Sequence, residues 1–106
     1  MECKVRFADE KLREAFYKLR ESDERLHKEI EKALITISKN AFCGRNVRKK
    51  LIPEKLAQRY EIKNLFIYNL RKDWRMLYTV GSEEIEVIAI ILDWMNHKEY
   101  ERLFKF

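Results

Sequence analysis

The sequence has 106 residues, of which 46% are hydrophobic and 39% are charged. A chain of this length has room for one domain around a single core, and its hydrophobic content excludes an intrinsically disordered protein. We therefore predict one domain covering residues 1–106. No signal peptide is recognisable at the start, and the longest apolar run, residues 87–92, is too short to span a bilayer. We expect a cytoplasmic protein that does not bind membranes.

The net charge of +5 is unevenly distributed along the chain. Residues 43–82 contain ten Lys and Arg against three Asp and Glu, a balance of +7, whereas the segments before and after carry +1 and −3. A positive field confined to one segment suits a polyanionic partner such as nucleic acid. A solvated basic face is the alternative that charge alone leaves open.

The cysteine and histidine residues show no pattern typical of a metal site. Cys3 and Cys43 are far apart, and neither forms a Cys-x-x-Cys motif or a cluster with His27 or His97. Disulfides are rare in reducing compartments, and zinc sites have characteristic ligand spacings that this sequence lacks. We expect two free thiols, no metal and no cofactor.

The first forty residues predict a short strand followed by two helices. Residues 3–7 alternate in polarity as a strand does, and the pattern changes to helical spacing from Asp9. Ser22 and Asp23 interrupt this pattern and can cap a second helix. The apolar stripes of the two helices predict a helical hairpin that covers a sheet: Leu12, Phe16 and Leu19, then Leu26, Ile30, Ala33, Leu34, Ile37 and Ala41.

The rest of the chain predicts a basic loop, a short helix, three strands and a final helix. Residues 43–50 form the loop, with Gly44 placed to end the second helix, and Pro53 suits the start of the short helix. The strands are expected at 65–71, 75–80 and 85–93, with a turn at Gly81-Ser82 before the last, centrally placed strand. The expected fold is α+β: an antiparallel-dominated sheet, the helical hairpin on one face and a short C-terminal helix.

Side-chain alternation in the first two of these strands predicts how they pair. Their more apolar faces coincide only if the loop between them has an odd number of residues, most simply 72–74. Tyr68 then lies opposite Tyr78, and Arg71 lies opposite Arg75. Two converging guanidinium groups can bind phosphate oxygens in a bidentate manner. Pairing of each arginine with a surface carboxylate is the alternative.

The final helix, from His97 to about Phe104, begins with a capping signal. Asn96 can cap it, with Glu99 as the partner in a capping box. His97 then lies in the first turn, and Tyr100 follows on the same face. Imidazole exchanges protons near neutral pH, and helix N-termini attract phosphate, so this pair is a candidate for acid–base chemistry on RNA. An ordinary amphipathic helix also contains such pairs.

The segment Asn64-Leu-Phe-Ile-Tyr-Asn-Leu-Arg-Lys-Asp-Trp-Arg-Met-Leu-Tyr-Thr-Val resembles the hallmark hairpin of the RelE/ParE toxin superfamily. In that hairpin an arginine precedes the turn and an aromatic-Arg-x-x-Tyr segment follows it. Trp94-Met-Asn-His-Lys-Glu-Tyr-Glu-Arg-Leu-Phe resembles the C-terminal His-x-x-Tyr segment of many RelE-type members. The order of predicted elements is also similar to that family, although its turn more commonly contains glycine than Lys-Asp-Trp.

This resemblance implies the toxin of a type II toxin–antitoxin system, a ribosome-dependent mRNA endonuclease that a cognate antitoxin inhibits. Cleavage would proceed without metal, by attack of a ribose 2′-hydroxyl on the adjacent phosphate. The resemblance implies a role for each of nine residues: Arg71 and Arg75 in binding the transition state, His97 and Tyr100 in acid–base catalysis, Arg45, Arg48, Lys49 and Lys50 in binding flanking phosphates or ribosomal RNA, and Glu54 as a further general base.

Two other functions remain open from the sequence. ParE-type members share the fold but inhibit DNA gyrase without cleaving RNA, and a basic RNA-binding module would need no catalytic group. The His97 and Tyr100 pair favours the nuclease branch. An acidic antitoxin segment lying over residues 45–75 would match the charge of this region.

Overall fold

A computed structural model of the chain describes residues 2–71, 73–83 and 86–105. None of the helices within these ranges is long and apolar enough to cross a membrane. The elements follow one another in the order β1 (Lys4–Phe7), α1 (Glu10–Ser22), α2 (Glu24–Lys39), β2 (Arg45–Asn46), a 3-10 helix (Lys49–Leu51), α3 (Glu54–Tyr60), β3 (Phe66–Asn69), β4 (Trp74–Glu83), β5 (Glu86–Asn96) and α4 (His97–Phe104).

The described residues form a five-stranded mixed sheet with the strand order β1-β5-β4-β3-β2. The pairings β2/β3, β3/β4 and β4/β5 are antiparallel, whereas β1 runs parallel to β5. The fold is therefore α+β with a sheet dominated by antiparallel pairs, as predicted. The parallel edge strand was not predicted, because the alternation in residues 3–7 identifies a strand but not its partner.

Local capping determines where α1 and α2 begin and end. The Asp9 side chain accepts a hydrogen bond from the Leu12 amide at 2.8 Å, and the Asp23 side chain accepts one from the Leu26 amide at 3.1 Å. Asp23 also separates the helices, as predicted. The second helix ends at Lys39, so the prediction that Gly44 ends it is wrong.

The sheet separates two clusters of buried side chains. The first lies under α1 and α2 and includes Phe16, Leu26, Ile30, Ala33, Ile37, Phe66, Met76 and Tyr78. The second lies under α3 and α4 and includes Val47, Leu56, Leu65, Ile67, Leu77, Leu92, Met95 and Tyr100. Even-numbered residues of β3 and of the first part of β4 therefore face α1 and α2, while the odd-numbered residues Ile67 and Leu77 face α3 and α4, as strand alternation requires.

The β3–β4 pair has the predicted faces but a different register. Asn69 lies opposite Arg75, and Phe66 lies opposite Tyr78. The prediction that Arg71 lies opposite Arg75 is therefore wrong by two residues. A shift of two residues leaves every side chain on its predicted face. It also avoids the repulsion between two directly opposed arginines.

The loop of this pair is correspondingly displaced by one residue. Leu70 donates a backbone hydrogen bond to the Trp74 carbonyl at 3.0 Å, so residues 71–73 connect the strands instead of 72–74. Lys72 lies outside the described residues. The connection still has an odd number of residues, as the shared apolar face demands.

The turn predicted at Gly81-Ser82 is also wrong. Both residues belong to β4, where Gly81 pairs with Ile88 and Ser82 pairs with Val87. The pairing continues to Glu83 and Glu86, because each added pair extends the hydrogen-bonded ladder between the two longest strands. Residue 85, the predicted start of β5, lies outside the described residues.

Candidate nucleic-acid interface

The start of α4 has the local structure that the sequence predicts. The Asn96 side chain accepts a hydrogen bond from the Glu99 amide at 2.9 Å, and the Glu99 carboxylate accepts one from the Asn96 amide at 3.3 Å. This capping box begins the helix at His97, and Tyr100 follows one turn later. His97 is thereby held in the first turn of the helix, the end at which the helix dipole favours an anion.

Strand pairing brings Arg75 to the same helix. At the beginning of β4, Trp74 pairs with Asn96 and Arg75 pairs with Met95, so this strand starts beside the N-terminus of α4. The guanidinium carbon of Arg75 lies 5.8 Å from the centre of the Tyr100 ring. Its Nη1 atom donates a hydrogen bond to the Trp74 carbonyl at 3.1 Å. The Arg75 side chain thus contacts Tyr100 of α4 and the backbone of its own strand.

Arg45, on the edge strand β2, also contacts Tyr100. Arg45 pairs with Ile67, which pairs with Leu77, so its Cα lies in a row that crosses β2, β3 and β4. Its Nη2 atom donates a hydrogen bond to the Tyr100 hydroxyl at 2.7 Å. The two residues are 55 positions apart in the sequence, which is why periodicity could not relate them.

A buried tyrosine determines the path of β2. The Tyr78 hydroxyl donates to the Ala41 carbonyl at 2.8 Å and accepts from the Gly44 amide at 2.9 Å. Burial raises the pKa of this phenol, so it stays protonated and keeps both hydrogen bonds. The segment that leads into Arg45 is therefore held close to β4.

We call Arg45, Arg75 and Tyr100 the arginine–tyrosine cluster. The Tyr100 side chain is 5% exposed, and its ring packs on that of Phe104 with 4.7 Å between centres. Within the described residues, no carboxylate forms an ion pair with Arg45 or Arg75 at 4.0 Å or less. Two cationic groups that have no ion-pair partner among the described residues make this surface suitable for an anion.

His97 lies on the same helix as Tyr100 and has a carboxylate partner. Its Nε2 atom is 2.9 Å from Oε1 of Glu101, one turn further along, and both side chains are about half-exposed. A carboxylate in this position accepts a hydrogen bond from Nε2–H, which favours the tautomer whose Nδ1 is the acceptor nitrogen. Glu101 was not predicted, although its spacing of four residues from His97 was a readable signal.

Arg71 lies apart from the arginine–tyrosine cluster. It belongs to the turn after β3, and its Nη1 atom is 3.6 Å from a carboxylate oxygen of Glu29 on α2. That helix packs on the other face of the sheet from α4. The prediction that the guanidinium groups of Arg71 and Arg75 converge is therefore wrong, and the carboxylate alternative holds for Arg71.

The remaining predicted residues surround β2 and α3 on the surface. Arg48, Lys49 and Lys50 are exposed and lie at or within the 3-10 helix that follows β2. Glu54 is exposed in the first turn of α3, and its carboxylate accepts a hydrogen bond from Gln58 at 3.3 Å.

Cys3, Cys43 and His27 form no metal site in the described ranges, where no group of three or more His, Cys, Asp or Glu side chains could hold an ion. Both thiols are free, and burial raises the pKa of Cys3. His27 is buried beneath α1, where its ring stacks on Phe16 at 4.4 Å. These residues therefore belong to the core or the surface and not to the interface.

Comparison with protein-family models, with curated proteins and with solved structures found no match for this chain. Its function must therefore be inferred from the geometry and charge of the side chains around α4.

Proposed function

We propose that the protein is a RelE-type toxin, an endoribonuclease that cleaves mRNA on the ribosome and is inhibited by a cognate antitoxin. One observation carries the proposal: Arg45 and Arg75, neither of them in an ion pair within the described residues, meet at Tyr100 on the helix that begins with His97. In this proposal, α1 and α2 are the helical hairpin of a RelE-like fold.

The proposed reaction needs an anion-binding group and two proton transfers. The ribose 2′-hydroxyl loses its proton and attacks the adjacent phosphorus, and the bond from phosphorus to the 5′-oxygen breaks as that oxygen gains a proton. Charge builds on the phosphate oxygens in the transition state, and Arg45 and Arg75 stabilise it there. Arg45 thereby takes the role that the sequence resemblance implied for Arg71.

His97 performs one of the proton transfers in this scheme. Imidazole suits this task near neutral pH, and Glu101 holds the Nε2 side of the ring so that Nδ1 faces the substrate. Arg48, Lys49 and Lys50 bind flanking phosphates or ribosomal RNA, a contribution that weakens as salt is added. An antitoxin with an acidic segment would cover the same basic surface.

The test is induced expression in a bacterial host, with translation, mRNA integrity and DNA supercoiling measured separately. We expect rapid translation arrest with cleaved mRNA and unchanged supercoiling. Arg75→Ala should lower the cleavage rate by about 10²–10³-fold, as for loss of one electrostatic ligand. His97→Ala should lower it by about 10²–10⁴-fold, as for loss of a general acid or base.

The matched control for Arg75→Ala is Arg13→Ala on α1. The Arg13 guanidinium also lies over a tyrosine ring, that of Tyr17, at 5.5 Å, but α1 packs on the other face of the sheet. This variant should remain toxic. Intact mRNA accompanied by DNA damage would identify a ParE-like gyrase inhibitor instead, and binding to RNA without cleavage would identify a basic RNA-binding module.

A further inference from the structure

We infer that Tyr100 is a positioning residue: its ring and hydroxyl hold the guanidinium groups of Arg45 and Arg75 in place, and it neither transfers a proton nor stacks on a nucleotide. This inference rests on the proposed function, in which both arginines bind the scissile phosphate. It replaces the acid–base role that the sequence resemblance implied for Tyr100.

The burial of Tyr100 argues against stacking on a base. Only 5% of the residue is exposed, and the Phe104 ring lies 4.7 Å from its ring centre. Its remaining surroundings include the Arg75 guanidinium, 5.8 Å from the same centre. A base stacks on an aromatic side chain only where one face of that ring is open to solvent.

The hydrogen bond at the hydroxyl argues for positioning. The Tyr100 hydroxyl oxygen accepts a hydrogen bond from Nη2 of Arg45 at 2.7 Å, so the phenol is the acceptor for a cationic donor. An arginine side chain has several freely rotating bonds, and a hydrogen bond to its guanidinium group restricts that rotation. A guanidinium group that is already in position stabilises a transition state without being reorganised during the reaction.

The contact between Arg13 and Tyr17 is a second arginine–tyrosine contact, with which that of Tyr100 can be compared. Tyr17 lies on the same helix as its partner Arg13, at a spacing of four residues, and is 52% exposed. Tyr100 instead connects three elements, β2, β4 and α4, through residues distant in the sequence. The difference indicates that Tyr100 positions arginines from two strands, whereas Tyr17 contacts an arginine of its own helix.

The experiment is a double-mutant cycle on the full chain, with kcat and KM measured for cleavage of mRNA on programmed ribosomes. Tyr100→Phe removes only the hydroxyl, and Arg45→Ala removes its partner. Arg45→Ala should lower kcat by about 10²–10³-fold, as for loss of one electrostatic ligand, and Tyr100→Phe by about tenfold. The double variant should be no slower than Arg45→Ala, because the Tyr100 hydroxyl acts only through Arg45. Multiplicative losses, or an unchanged rate in Tyr100→Phe, would overturn the inference. Tyr17→Phe is the matched control and should keep the wild-type kcat.

A second readout does not depend on cleavage. Side-chain ¹⁵N spectra report how freely the Arg45 guanidinium rotates, and its signals should show restricted rotation in the wild type and free rotation in Tyr100→Phe. Identical signals in both proteins would contradict the positioning role whether or not the chain cuts RNA. If the wild type cuts no RNA while the Arg45 signals change as expected, the proposed function fails and the positioning of Arg45 stands.

Discussion

Arg71 and Arg75 flank the same turn, and their side chains nevertheless contact helices on opposite faces of the sheet. Arg75 belongs to β4, where alternation directs it toward α4 and Tyr100. Arg71 lies beyond the end of β3, so alternation no longer determines its direction, and it pairs with Glu29. Strand parity applies only as far as the ladder of hydrogen bonds continues.

This separation predicts that Arg71→Ala retains wild-type cleavage, in contrast to Arg75→Ala. The Arg71 side chain is 70% exposed, so loss of its ion pair should lower the free energy of unfolding by no more than about 1 kcal/mol. The two variants should be compared in the same cleavage assay, with unfolding measured by denaturant titration. Equal loss of activity in both would restore Arg71 to the phosphate site and contradict the assignment to Arg45.

The contact between Gly44, just before β2, and Tyr78 of β4 decides where Arg45 lies. A Cβ atom added to Gly44 would lie 2.7 Å from the Tyr78 hydroxyl and 3.0 Å from the Ile67 carbonyl. The backbone at Gly44 does not have a positive φ, so close approach and not conformational strain requires glycine there. This glycine is a packing residue and not the helix terminator that the sequence suggested.

We therefore expect Gly44→Ala to destabilise the protein by about 1–3 kcal/mol, as overpacking of a dense site does. It should also weaken RNA cleavage, because displaced β2 carries Arg45 away from Tyr100. Gly81→Ala provides the matched control: no atom of the described residues lies within 4 Å of the added Cβ, and the φ of Gly81 is not positive either. Denaturant titration of both variants should show a loss only for Gly44→Ala, and equal stabilities would refute the close-approach argument.

At the scale of the whole molecule, Asp93 lies where several elements meet. Its carboxylate accepts a hydrogen bond from the Trp94 amide at 2.9 Å. The pKa of Asp93 is raised, mainly because burial removes it from water; the negative charges of Glu99 and Asp9 add to this effect, whereas the Trp94 hydrogen bond and Arg59 oppose it. The folded state therefore binds the proton more tightly than the unfolded state does.

The sign of the resulting pH dependence follows from this difference. Above the ordinary aspartate pKa of 3.8 the unfolded chain has lost the proton that the folded chain still holds. The contribution of Asp93 to stability therefore falls as pH rises from 3.8 to the raised pKa and is constant above it. Asp93→Asn cannot ionise and keeps an acceptor for the Trp94 amide, so it should be more stable than the wild type at neutral pH.

The measurement is the free energy of unfolding as a function of pH for the wild type, for Asp93→Asn and for Glu31→Gln. Glu31 is exposed on α2, so its substitution should leave the wild-type slope in place. If Asp93→Asn has the same slope as the wild type, burial of Asp93 does not contribute to the pH dependence.

Features that depend on neighbouring residues could be predicted from the sequence. The helix from His97 to Phe104 and its capping box were predicted correctly, because a cap is made by side chains and amides within one turn. The faces of β3 and β4 were also predicted correctly, since alternation depends only on the period of a strand. A shift of two residues preserves those faces, which is why the register could be wrong while the faces were right.

Contacts between distant residues, in contrast, are visible only in the folded chain. That β1 lies parallel to β5, that Arg45 binds Tyr100 and that Arg71 turns toward Glu29 all depend on the packing of segments far apart in the sequence. Periodicity and capping carry no information about such contacts, because the free energy that selects them comes from burying both faces of the sheet at once. The positive charge of residues 43–82 is evident from the composition of that segment. That two arginines of the segment, Arg45 and Arg75, contact one tyrosine is evident only from the fold.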